Sequence, residues 1–104
     1  MVMVHRTVRF VSDKRLQARE WTTKVAKYVR QKYPKYNTRL LRTVLGDVAT
    51  IHWISEYDSL AEWERHSKEI EADKGYQDLL AEDANKGWRI DGSMRLEAYE
   101  TVVG

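Results

Sequence analysis

The stretch from Val44 to His66, V-L-G-D-V-A-T-I-H-W-I-S-E-Y-D-S-L-A-E-W-E-R-H, sets the frame for the rest of the chain. Its middle, Val48 to Tyr57, is a β-branched and aromatic run that reads as a strand covered on both faces. Gly46-Asp47 ahead of it reads as a hairpin-type turn, because Gly tolerates positive φ and Asp bonds nearby backbone N–H groups. Behind it, Ser59 with Glu62 three residues on has the form of a capping box that opens a helix. Period 2 places Ala49, Ile51 and Trp53 on one face of the strand and Thr50, His52 and Ile54 on the other. A single bulge would exchange those faces.

The flanks supply the other elements. Val2 to Val11 reads as a strand in which Val2, Val4, Val8 and Phe10 share a parity that Arg6 interrupts, predicting a bulge or an arginine near a sheet edge. Ser12 or Asp13 is the capping candidate for a helix in which Ala18, Trp21, Val25, Tyr28 and Val29 form one stripe. Tyr33 lies near its end and Pro34 stops it. Thr38 to Leu45 is a second strand. Beyond the central run, Leu60, Trp63, Ser67 and Ile70 step down one helix face, and Gly75 breaks that helix. Tyr76, Leu79, Leu80 and Ala84 give the apolar side of a shorter helix, which Asn85-Lys86-Gly87 stops. Trp88 to Val103 is the last strand, with a bulge expected at Gly92.

This order predicts an α+β fold over residues 1–104 as a single domain. Its sheet is a four-stranded antiparallel one of ferredoxin-like arrangement, with two main helices plus a short one on one face. The other face is then bare, and strands this apolar predict a second copy of the chain covering it. The expected partner is the chain itself, as a homodimer.

Composition narrows the chemistry. The chain has no cysteine, so disulfides and thiolate-bound metals are excluded. No apolar run approaches the ~18 residues of a membrane span. The charged start lacks a signal h-region, which leads to an expectation of a cytoplasmic protein with no membrane partner. The net charge of +2 conceals an asymmetry: residues 1–45 hold twelve Lys/Arg against two acids, and residues 46–104 hold six against fourteen. A basic half is compatible with nucleic acid. A basic helix packed beside an acidic one, within a subunit or across a dimer, accounts for it more simply.

At Tyr57-Asp58-Ser59-Leu60-Ala61-Glu62, after a Trp-bearing strand, the sequence resembles the NIPSNAP-like members of the dimeric α/β-barrel superfamily. The spacing of Tyr57, Trp63 and His66 is similar to an aromatic, aromatic, His pattern in antibiotic-biosynthesis-type monooxygenase domains of that superfamily. The resemblance implies two sheets facing each other across a dimer axis, with helices outside. It further implies a pocket between sheet and helices or in the barrel lumen. Its members include cofactor-free oxygenases, haem-degrading enzymes and isomerases. The asparagine of the haem degraders has no match, since the first strand offers His5 but no Asn. No cofactor is therefore expected.

His52 is the candidate catalytic base, since an imidazole facing an apolar lumen titrates near neutrality. His5, on the neighbouring strand, is within reach of it. A metal held by these two with Glu56 lacks ligand-type spacing, and no metal is expected. His66 lies beside the Leu60–Trp63–Ile70 stripe, either bordering a pocket or sitting at the helix–sheet rim. Trp53 and Tyr57 complete the candidate ligand-binding set of His5, Trp53, Tyr57 and His66. Trp21 and Trp63 read as core. No phosphate loop, Ser/His/Asp order or carboxylate pair is present.

The expected function is a dimer that binds a small apolar or aromatic molecule, as a binding protein or a cofactor-free monooxygenase or isomerase. A ligand-free structural or regulatory dimer is the alternative. RNA binding is disfavoured: RRM domains share this order of elements but stack bases on strand aromatics two apart, where this chain has Val48 and Thr50.

Overall fold

The computed structural model describes residues 1–84 and 86–104, residue 84 by its backbone alone. Alternation along the strands sorts the side chains. Strand β1 (Val2–Arg9) buries Val2, Val4 and Val8 on one side, and Phe10 continues that parity into the core. It pairs antiparallel with β3 (Thr50–Tyr57) on one side and with β4 (Arg95–Glu100) on the other. The short β2 (Arg39–Arg42) joins the free side of β3, giving the order β2-β3-β1-β4. Each β–helix–β unit is thus split by a strand of the other, the ferredoxin-like arrangement that the order of elements predicts.

Three helices cover one face. Helix α1 (Arg15–Lys32) buries Ala18, Trp21, Val25 and Val29, as its stripe predicts, together with Thr22 and Ala26. Helices α2 (Leu60–Glu71) and α3 (Lys74–Ala84) complete the layer. The Trp21 indole donates to the Leu79 carbonyl at 2.7 Å, which satisfies its N–H inside the core. At the far end of α1, the buried Asp73 carboxylate accepts the Tyr33 hydroxyl at 2.6 Å and the Tyr28 hydroxyl at 2.7 Å. Lys32 Nζ lies 2.8 Å from it. This cluster ties the end of α1 to the α2–α3 junction.

Several boundaries differ from the sequence reading. β1 runs through Arg6 without a bulge and is a central strand, so Arg6 stands in the helix-facing row, opposite Trp53 and Leu96. Neither Ser12 nor Asp13 caps α1; a 3-10 turn over Ser12–Lys14 leads into it with no side-chain cap. β2 ends at Arg42, and residues 43–49 form a loop rather than a tight hairpin. Gly46 (φ 125°) and Asp47, which accepts from the Ala49 N–H at 3.0 Å, shape this loop. Ser59 does cap α2, accepting from the Glu62 N–H at 3.2 Å. The α2–α3 break falls at Ala72-Asp73; Gly75 lies inside α3, where a Cβ would collide with the Tyr28 hydroxyl.

The final segment is also more broken than a bulged strand. Arg89 makes an isolated bridge to Phe10, Gly92 (φ 75°) lies in a turn, and β4 begins at Arg95. Gly87 (φ 65°) has the left-handed backbone of a helix stop, while Asn85 and the side chain of Ala84 lie outside the described residues.

Candidate functional site

A cavity of about 310 Å³ lies between the helix-facing side of the sheet and the helices. Strand period fixes its floor: Arg6 comes from β1, and Trp53, Ser55 and Tyr57 come from alternate positions of β3. Helix α2 supplies Trp63 and His66 from adjacent turns. The walls are mostly apolar and aromatic with a few polar groups among them, the composition of a small-molecule site.

His66 is the cavity's imidazole. The stripe of α2 is rotated from the one predicted: Glu62 and His66 are buried, while Leu60 is half exposed. His66 is 4% exposed and sits among three tyrosine rings, with centroids 4.9 Å from Tyr33, 4.1 Å from Tyr36 and 5.8 Å from Tyr57. It is therefore a pocket residue, not one at the rim. Its Nδ1 is buried without a hydrogen-bond partner. Burial lowers its pKa below 6.5, against the opposing pull of Glu69 and Glu62, so the ring is neutral at pH 7. Burial likewise pushes the Tyr57 phenol up to about 12, so it stays protonated. Glu62 beside this cluster is held ionised, its pKa lowered first by Lys35, whose Nζ lies 3.1 Å away.

The opposite sheet face carries a second polar arrangement. His5 and His52 stand diagonally across the β1–β3 pair, their rings stacked with centroids 5.2 Å apart. His5 Nε2 lies 2.9 Å from His52 Nδ1, and His52 Nε2 lies 2.9 Å from Thr43 Oγ1. Thr43 gives its own proton to the Thr50 carbonyl at 3.2 Å. His52 Nε2–H therefore donates to Thr43, leaving Nδ1 to accept from His5. Glu56 does not join them, because Arg39 lies 3.3 Å from its carboxylate. Among the described residues no group of three or more His, Asp or Glu could hold a metal ion.

The five residues singled out by sequence are thus divided by the sheet. Trp53, Tyr57 and His66 meet in the cavity; His5 and His52 face the other way and cannot touch a molecule held there. Arg6, Ser55, Tyr36 and Trp63 were not among them, although Arg6 carried a signal as a charge in an otherwise apolar row. The uncovered face is also more mixed than expected. Met3, Leu41, Ile54 and Tyr99 share it with the histidines, Thr7, Glu56 and Arg39. Among the described residues no helix is long and apolar enough to cross a membrane.

No protein-family model matches the sequence, and no curated protein sequence matches it. Solved structures do share its fold. A NIPSNAP family protein from Agrobacterium tumefaciens superposes with a TM-score of 0.78 at 11% identity, over 95% of this chain and 90% of that one. An uncharacterized NIPSNAP domain protein from Burkholderia xenovorans gives 0.77 at 13% identity, over 97% and 94%. An antibiotic biosynthesis monooxygenase gives 0.70 at 15% identity, over 99% and 100%. The chain thus has the fold of NIPSNAP and antibiotic biosynthesis monooxygenase structures, as the resemblance around Tyr57–Glu62 implies. Identities this low speak for the fold alone.

Proposed function

We propose that the protein is a homodimer that binds a small apolar or aromatic molecule between sheet and helices, and acts on it as a cofactor-independent monooxygenase or isomerase. The observation that carries this reading is the aromatic-walled cavity containing a buried, neutral imidazole with a free nitrogen. In such a site His66 is the base, in place of His52: its neutral imidazole accepts a proton from an acidic C–H or O–H of the substrate. An isomerase returns that proton at another carbon. In a monooxygenase the resulting carbanion gives its electrons to dioxygen and forms a C–O bond; the hydroperoxide, reprotonated by His66, then loses water to leave one oxygen atom on the substrate as a carbonyl. The likeness to an antibiotic biosynthesis monooxygenase supports the second branch at the level of fold. Met3, Leu41, Ile54 and Tyr99 on the uncovered sheet face, with the exposed Val102 and Val103, support a second copy as the partner.

The test is calorimetric titration with 2-naphthol alongside light scattering. The reading expects a dimer that binds 2-naphthol, and a His66→Phe variant with affinity reduced roughly tenfold, the loss of one hydrogen bond. Phe keeps an aromatic ring among the tyrosines and removes both ring nitrogens. No binding, with a normal fold, would leave a ligand-free dimer.

A second reading keeps His52 as the base, acting on a molecule in the lumen between two facing sheets. The His5–His52–Thr43 hydrogen-bond chain favours it. Loss of 2-naphthol binding in His52→Gln but not in His66→Phe would select it.

A further inference from the structure

We propose that the molecule held in the cavity carries an anionic oxygen group, a carboxylate or an enolate, and that Arg6 is its binding residue. This rests on the reading of the cavity as a ligand site. Arg6 projects from the centre of the sheet into the helix-facing row, between the buried Val4 and Val8. A guanidinium stays charged at any relevant pH. Charges in such surroundings are normally paired, because leaving water is costly without a counter-ion.

The protein's buried carboxylates obey that rule. Asp73 has Lys32, Glu62 has Lys35 and Asp83 has Arg89. The half-buried Arg6 has no such partner: among the described residues no carboxylate lies within ion-pair distance of it, and its Nε is buried with no hydrogen-bond partner. The acid that lines the same cavity, Glu71, is exposed to solvent and makes no pair with Arg6. Arg89 also lines it, but is occupied by Asp83.

The cavity therefore combines aromatic walls, an unpaired cation and the neutral His66 imidazole. A planar aromatic acid satisfies all three, since a guanidinium fork matches two carboxylate oxygens. The same cation would hold the negative charge left on a substrate after His66 has taken its proton, the moment at which a fixed positive charge is most useful.

Two probes of equal shape separate charge from fit: 2-naphthoate and 2-naphthamide, titrated calorimetrically into the full chain and its Arg6→Met and Arg6→Lys variants. Expected is a roughly ten- to hundredfold preference of the wild type for the naphthoate. Arg6→Met should abolish this preference by bringing naphthoate affinity down to that of naphthamide, and Arg6→Lys should retain part of it. Arg6→Met should also melt at or above the wild-type temperature, because it removes an unpaired, half-buried charge; a structural arginine would give the reverse. Equal affinity of the wild type for both probes, a preference surviving in Arg6→Met, or a lower melting temperature for that variant would overturn the inference. Each of these leaves the cavity as a ligand site. Failure of both probes to bind the wild type would overturn that reading, and the role of Arg6 with it.

Discussion

His5 and His52 meet across the uncovered sheet face through a 2.9 Å contact between ring nitrogens, and the neighbouring Thr43 fixes which nitrogen carries the proton. Protonating His52 would set two N–H donors against each other. Burial, and then the His5 charge, lower the pKa of His52 below 6.5; burial does the same to His66. A histidine of this kind binds its proton more readily unfolded, so its stabilisation is complete above pH 6.5 and is lost as pH falls below that value. Thermal melting between pH 7.5 and 5.0 should show a falling midpoint on the acid side. His52→Gln and His66→Phe should each flatten that slope, and a pH-independent midpoint would contradict the assignment.

Asp73 should be the costliest polar residue to remove. Its carboxylate is almost fully buried and accepts from two tyrosine hydroxyls beside Lys32. The Lys32 hydrogen bond, then that of Tyr33, holds it well below the usual carboxylate range. Asp73→Ala strands those donors and should cost at least about 2 kcal/mol in urea denaturation. The carboxylate's stabilisation is present above its unfolded pKa and lost as pH falls through the folded one, so the variant gap should close only in strong acid.

Gly75→Ala tests packing against propensity. Inside a helix, Ala in place of Gly normally stabilises by about 1 kcal/mol. Here the new methyl would strike the Tyr28 hydroxyl, with Tyr28 Cζ only 2.9 Å away, and the hydroxyl is itself held by Asp73. The expected result is destabilisation by about 1–3 kcal/mol, partly relieved when Tyr28→Phe is added. A stabilised single variant would refute the close approach.

Ile54 lies near the middle of the uncovered sheet face, opposite His5 on β1 and Arg39 on β2. Ile54→Lys would set an ammonium inside a dimer seated on that face. If the proposed dimer forms through this face, light scattering should report a monomer for the variant and a dimer for the wild type at the same concentration, with the circular dichroism spectrum unchanged. A variant as dimeric as the wild type would remove this face from the interface.

The sequence disclosed the order of elements because hydrophobic period is a local property. Trp21, Val25 and Val29 declare a helix, and Ala49, Ile51 and Trp53 a strand, whatever lies around them. It hid what depends on partners distant in the chain. Val44, Leu45 and Val48 are strand formers, yet they lie exposed in a loop because Asp47 turns the backbone with its own side chain. The depth of Glu62 and His66 is settled only by Lys35 and by three tyrosines from other elements, which enclose them. The division of His52 from Trp53 was visible as strand parity. Which of the two faces carried the cavity was not, since both hold aromatic or imidazole rings.

The position of a bound aromatic among the four tryptophans tests the cavity most directly. Trp21, Trp53 and Trp63 line it, Trp21 from the α1 side, whereas Trp88 does not. Proton–nitrogen NMR resolves the indole N–H of each, and 2-naphthol added to the labelled protein should shift the Trp53 and Trp63 signals saturably while leaving Trp88 in place. Shifts confined to backbone amides of the opposite face, around His5, His52 and Ile54, would contradict the account.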